Sequence, residues 1–352
     1  MNFKNDTYLK ETQTKLVLGL RPRTTNTKGL RPARLPAKDL TATAARSRLI
    51  RLITAILPFF LFIATITHAQ QRPLFTQYMF NGLAINPAYA GSQEALSLTA
   101  LLREQWIGVE GRPSTQTFSA HAPIPGKKVA AGLLLTHDAI GITHQYGFYG
   151  TYAYRIKLPT GTLSAGLQAG FDSYRIGFSS VPIDDQDDRH FATDDAQSFL
   201  PNFGAGLYYS TKRFYAGLSA PYLFNNDYPG GELSQARQYR HWFASLGYVF
   251  DLSADLKLKP NVLIKAVQGA PVEVDLNANL LIKDIVWVGA SYRSLDAVSA
   301  LVELQATKRF RIGYAYDLSV TEMRQVNTDS HELMLHYRLP LEKSKIITPR
   351  YF

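Results

Sequence analysis

The stretch Pro271-Val272-Glu273-Val274-Asp275-Leu276-Asn277-Ala278-Asn279-Leu280-Leu281-Ile282 decides the fold. Val272, Val274, Leu276, Ala278, Leu280 and Ile282 fall on one side of an extended chain, and Glu273, Asp275, Asn277 and Asn279 on the other. Side chains of a strand point alternately to its two faces, so this period of two spells a strand with one apolar and one polar side. The same reading applies to 161–172. There Leu163, Ala165, Leu167, Ala169 and Phe171 oppose Thr162, Ser164, Gln168 and Asp172. Over 309–317, Phe310, Ile312, Tyr314 and Tyr316 oppose Arg309, Arg311 and Asp317. Working outward gives 14 strands: 96–106, 114–122, 128–137, 144–157, 161–175, 199–210, 213–220, 239–251, 256–267, 271–282, 285–294, 298–307, 309–318 and 331–339. Helical periodicity is confined to a weak trace over 74–84.

The connections sort by length. Alternate ones are short turns: 123–127, 159–160, 211–212, 253–255, 283–284 and Lys308. The long ones, 176–198, 221–238 and 319–330, all fall in the other set, with 107–113 and 138–143. Strands of about ten residues, even in number, with short turns at one end and long loops at the other, describe an outer-membrane barrel. The expected fold is therefore all-β, a transmembrane antiparallel β-barrel of about 14 strands. The polar face carries Lys257, Lys259, Lys265, Glu273, Asp275, Glu303, Arg309 and Arg311, too many charges for a packed interior. These are candidate charges of a hydrated lumen, with Lys265 and Glu273 placed to pair across neighbouring strands. The apolar face then meets outer-membrane lipid, with Tyr and Phe at the strand ends as girdles. The rival is a soluble β-protein whose charged face meets water.

The chain has 352 residues, 46% of them hydrophobic, which excludes disorder. It has no cysteine, so disulfides, thiol nucleophiles and Cys-ligated metals are excluded. The net charge of +10 is not a nucleic-acid signal, because residues 1–69 hold 12 Lys and Arg against 3 Asp and Glu, while the rest holds 26 against 25. Arg46, Arg48 and Arg51 precede the uncharged run Leu52–Thr67, and Thr67-His68-Ala69 offers small residues for cleavage. This pattern predicts an N-terminal signal peptide cut between Ala69 and Gln70. An uncleaved anchor is the alternative. The expected organisation is a removed leader 1–69, a periplasmic N-terminal segment 70–95, a barrel 96–340 and a tail 341–352.

The acidic loop Asp184, Asp185, Asp187, Asp188, Asp194 and Asp195 matches no calcium-loop spacing and reads as solvated. His137 and His144 flank a loop without further converging ligands, so no zinc site is expected. There is no G-x-S-x-G elbow and no phosphate-cradling glycine loop. No cofactor and no enzymatic activity are expected.

Gln77-Tyr78-Met79-Phe80-Asn81 followed by Ile85-Asn86-Pro87-Ala88-Tyr89-Ala90-Gly91 resembles the opening of the PorP/SprF family, outer-membrane proteins of the Bacteroidetes type IX secretion and gliding system. Arg103-Glu104-Gln105-Trp106, Asn202 to Tyr209, Phe214 to Ser219, Asp275 to Asn279, Trp287 to Arg293, Arg311 to Asp317 and His331-Glu332 are similar to further family motifs, in order, over about 72–352. With an N-terminus in the periplasm, the long loops fall on the extracellular side, and the resemblance implies a secretion component of the cell outer membrane. It would bind or anchor secreted proteins with C-terminal sorting domains, adhesin-type cargo included. It also implies contacts with periplasmic secretion components in one branch, and no nucleic acid. A diffusion porin or small-solute channel is the alternative. Gln77, Tyr78, Met79, Phe80, Asn81, Asn86, Pro87 and Tyr89 form a candidate partner-docking segment. They equally suit a plug or brace in the barrel mouth. Tyr337 in the last strand and the terminal Phe352 are rival assembly signals.

Overall fold

The structure, a computed structural model, describes residues 74–177, 196–228, 237–294, 296–320, 329–341 and 351. The leader with its cut at Ala69 and Gln70, the acidic loop 184–195 and Phe352 lie outside them.

Fourteen antiparallel strands close into a barrel. They are β1 (Leu96–Glu104), β2 (Ser114–Pro123), β3 (Val129–Ile140), β4 (Thr143–Lys157), β5 (Thr162–Ile176), β6 (Ala196–Ser210) and β7 (Phe214–Tyr222). There follow β8 (His241–Tyr248, resuming after Val249 as Phe250–Asp251), β9 (Leu256–Val267), β10 (Glu273–Ile282) and β11 (Val286–Arg293). β12 (Ala297–Gln305), β13 (Phe310–Ser319) and β14 (Asp329–Leu339) complete the wall. Each strand pairs with its sequence neighbours, and β1 closes on β14 from Leu96↔Leu339 to Glu104↔His331. Closure removes every sheet edge, which is the condition for strands to cross lipid.

The alternation in sequence becomes an inside and an outside. On β5, Leu167 is 64% exposed, whereas Ser164, Gln168 and Asp172 are buried. On β10, Leu276 and Ile282 face out, and Asp275, Asn277 and Asn279 face in. The wall is thus apolar outside and polar inside, the reverse of a soluble barrel, as lipid requires. Exposed Tyr154, Tyr248, Phe250 and Tyr337 ring the short-turn end; Tyr146, Phe199, Trp242 and Tyr292 lie toward the long-loop end.

Residues 74–93 do not extend from the barrel as a free periplasmic segment. They lie inside it as three single turns of 3-10 helix, Tyr78–Phe80, Gly82–Ala84 and Pro87–Tyr89. Tyr78, Leu83, Ala88 and Ala90 are almost completely buried. The physical reason is composition: an aromatic stretch without a period makes no strand, and burial against the wall is its only dry environment.

Candidate functional site

The site is the filled interior, and its residues come from the wall and from the segment it encloses. Among the described residues, the inward face buries six cations (Arg103, Lys259, Lys265, Arg293, Arg311, Arg338) and five carboxylates (Asp172, Asp275, Glu303, Asp317, Glu332). Burial of charge is tolerable when the charges are paired and hydrogen-bonded.

The pairing is densest toward the long-loop end. Arg103 Nη1 lies 2.5 Å from both Asp317 Oδ2 and Glu332 Oε1. Those two carboxylates grip the start of the inner segment. The Thr76 hydroxyl donates to Asp317 at 2.7 Å. The backbone N–H groups of Thr76 and Gln77 donate to the two Glu332 oxygens at 2.5 and 3.1 Å. Arg293 donates to the Thr76 hydroxyl at 3.2 Å and pairs with Asp275 and Asp296 at 3.3 and 2.9 Å. Lys265 and Arg293 each approach Glu273 to 3.8 Å, so the expected Lys265–Glu273 neighbours do meet.

Toward the short-turn end the contacts change character. Phe80 stacks obliquely on Trp287 with ring centroids 6.1 Å apart. Lys259 Nζ lies 5.1 Å from the Phe80 ring centre, and the Arg311 guanidinium 5.9 Å from it. Arg311 pairs with Glu303 at 2.9 Å. Tyr89 packs edge-on against His121 and Tyr208, each at 5.4 Å. Asn86 caps the third turn by accepting from Ala88 N at 2.9 Å, and donates to the Leu207 carbonyl at 2.9 Å. Asn81 accepts from Ser119 Oγ at 2.8 Å. The wall makes room with glycine: a Cβ on Gly166 would stand 2.2 Å from Ala88 N, and one on Gly206 2.1 Å from Asn86 Oδ1. Lys259 also donates to the Tyr351 carbonyl at 2.5 Å, so the described residue of the C-terminal tail sits in the short-turn mouth. Tyr337 is on the outer face of β14.

Two sequence expectations need correction. The lumen is not a hydrated passage through the described residues. A cavity of about 40 Å³ remains beneath Leu74 and Phe75, room for about three waters. Two concavities of about 720 Å³ each are lined by outward residues such as Leu167, Trp242, Phe118 and Leu335 on the lipid face. The charges that seem too many for packing pair largely with one another, and Thr76, Gln77 and Gln93 of the inner segment, with Gln238 and Tyr351, add further partners. Arg309, moreover, is not a lumen charge. It stands exposed in the turn before β13, where the chain reverses and the strand parity does not apply. Lys257 is at the short-turn mouth, its Nζ 2.5 Å from Asp284 Oδ1. Lys259, Lys265, Asp275 and Glu303 are buried inside, with Arg311; Glu273 is half-buried beside them.

Thr76, Arg103, Arg293, Asp317 and Glu332 come together as a group that sequence order does not announce. For the strand residues among them the signal is parity: Arg103 shares a face with Ser97 and Thr99, and Glu332 with Ser330 and His336, all buried. At the long-loop end a short pairing of Asn226–Asp227 with Arg237–Gln238 folds inward. Gln238 donates to Asp172 at 2.8 Å and accepts from Asn202 at 3.1 Å. Hydrogen bonding from Arg237 holds the nearby Asp227 carboxyl below its ordinary range. His137 and His144 stack with Tyr146 on the wall, their ring nitrogens 3.3 Å apart. Among the described residues no three metal-ligating side chains converge.

The model of the type IX secretion system membrane protein PorP/SprF family matches residues 67–337. No curated protein matches the chain in sequence. Among solved structures, the Acinetobacter baumannii outer membrane protein Omp33 is similar at 10% identity and a TM-score of 0.40, over 70% of this chain and 100% of its own. A Pseudomonas aeruginosa FadL homologue is similar at 13% identity and 0.42, over 78% and 96%. The CymD monoaromatic hydrocarbon channel gives 12% identity and 0.44, over 75% and 92%.

Proposed function

The chain belongs to the PorP/SprF family of type IX secretion system membrane proteins, and we propose on that premise that it is a non-enzymatic anchor for secreted cargo. In this reading the outer-membrane barrel holds proteins with C-terminal sorting domains at the cell surface, through its long-loop end. Periplasmic secretion components would meet the short-turn end. The observation that favours an anchor over a diffusion porin is the interior, occupied by residues 74–93 and crossed by paired, buried charges. A porin uses inward charges to tune a water-filled channel. Here the same residues are spent on fixing a piece of the protein's own chain, so the loops outside are the surface left for work.

The test is affinity purification of the tagged barrel from gently solubilised outer membranes, followed by mass spectrometry. Near-stoichiometric recovery of a large secreted protein with a sorting domain is the expected result. Recovery of the barrel alone, together with solute uptake that rises with its expression, would replace the anchor with a porin.

A further inference from the structure

The short-turn end of the barrel carries a positive charge that the described residues do not neutralise. Five of its six turns hold exposed cations: Lys127 and Lys128 after β2, Lys157 at the end of β4, Lys212 after β6, Lys283 after β10, and Lys308 with Arg309 after β12. Among the described residues, none of these is in an ion pair. The carboxylates of this end are fewer. Glu94, Asp251 and Asp284 are taken by Arg155, Arg213 and Lys257, which leaves Asp255. The long-loop end differs, because its exposed Arg112 and Arg237 are paired with Glu104 and Asp227. The turn after β10 shows the bias at one position. Lys283 and Asp284 have φ of 51° and 56°, the left-handed region that tight hairpins usually give to Asn or Gly. Asp284 meets Lys257, and Lys283 stands exposed.

Large apolar side chains stand exposed in the same turns. Ile124 shares its turn with Lys127, Leu158 follows Lys157, and Ile285 follows Lys283 and Asp284; they are 42, 42 and 48% exposed. The outer wall reaches these turns through its aromatic girdle. Tyr154 lies opposite Val129, next to Lys128; Tyr248 lies opposite Phe214, two residues from Lys212; and Tyr337 lies opposite Phe310, next to Arg309. Aromatic girdles mark the boundary between hydrocarbon and water, so the cations stand at the height of lipid head groups round most of the circumference. We infer that this rim binds the anionic head groups of phospholipids in the leaflet that the short turns meet, lysine to phosphate, with Ile124, Leu158 and Ile285 set into the acyl boundary beside them. A zwitterionic head group brings its own cation, so an unbalanced row of lysines selects the net-negative one. An acidic soluble partner would cover one sector and gain nothing from the exposed aliphatic residues. Cations that encircle the barrel, with apolar neighbours in the same turns, fit a lipid leaflet. Short turns of an outer-membrane barrel face the periplasm, so the leaflet is the inner one. This inference does not depend on what the long-loop end holds.

The test uses the whole barrel, purified in a non-ionic detergent and mixed with equal amounts of dioleoylphosphatidylglycerol and dioleoylphosphatidylcholine. Native mass spectrometry counts the lipids it retains. The expected result is a preference for phosphatidylglycerol of about threefold or more, since each lysine near an anionic head group adds to the attraction. High salt should remove the preference, because exposed charges are screened. Lys127→Gln, Lys157→Gln, Lys212→Gln, Lys283→Gln and Lys308→Gln together should bring the ratio close to one, with heat-modifiable migration confirming the fold. Arginine at the same five positions should keep the preference. Arg112→Gln, at the long-loop end and already paired with Glu104, should leave it unchanged. Equal retention of the two lipids by the wild type overturns the inference, as does a preference that survives high salt or the five glutamines. Lysine-dependent sedimentation with purified peptidoglycan, without a lipid preference, also overturns it. If the glutamine variant does not fold, the salt dependence of the wild-type ratio decides.

Discussion

The two ends of the enclosed segment are held by different physics. At the long-loop end Thr76 and Gln77 are caught by carboxylates that are themselves neutralised by arginines. At the short-turn end Phe80 and Tyr89 are held by ring packing, cation–π contacts and the space left by glycines. Charge clamping is directional and unforgiving, because removing one partner strands the others in a dry interior. Aromatic packing is broader and tolerates a change of shape. The clamp thus sets where the segment sits, and the packing below supplies burial. Both ends are held by wall residues far away in sequence.

The largest expected effect breaks the clamp. Arg103→Met leaves Asp317 and Glu332 buried without their shared cation, and a broken buried pair costs about 3–5 kcal/mol. The denaturant midpoint of heat-modifiable migration should fall accordingly. A shift no larger than that of Arg112→Met, whose pair with Glu104 is half exposed, would show that the clamp is wet. Next is Gly166→Val, which puts a side chain where Ala88 N already lies. Overpacking of this kind costs about 1–3 kcal/mol. Unlike the clamp variant, it should displace the third turn while Thr76 stays bound. Protection of the Thr76 backbone amide from hydrogen exchange that survives in this variant would sharpen the comparison.

The lower end should yield less to a conservative change. Phe80→Leu keeps most of the apolar volume against Trp287 and is expected to cost about 1 kcal/mol, read in the same assay. A loss as large as that of Arg103→Met would make both ends equally strict and remove the contrast. Smallest is Arg309→Gln. An exposed turn residue changes stability by at most about 0.5 kcal/mol. A larger loss would return Arg309 to the interior, against its exposed position before β13.

What was legible in the sequence follows the same division. The wall could be read because lipid on one side and a polar interior on the other impose period two on every strand. The expected strands 271–282 and 309–318 lie within two residues of the edges of β10 and β13. Inward charges such as Asp275 and Glu303 could be read from parity alone. Their state could not, since the atoms that fill the space beside them come from residues 74–93. Thr76 finds Glu332 across 256 positions of chain, and no local pattern announces such a contact. The three 3-10 turns repeat too briefly to carry a period. Arg309 departs from the expected lumen because parity ends with the strand, at Phe310.

The central claim is that the barrel's own N-terminal segment closes it. Conductance of the purified barrel in planar bilayers tests this most directly, with a variant lacking 74–90 measured beside it. The account predicts a silent wild type, and steady open steps wherever the shortened barrel inserts. Steady steps from the wild type, with the size unchanged by the deletion, would contradict it.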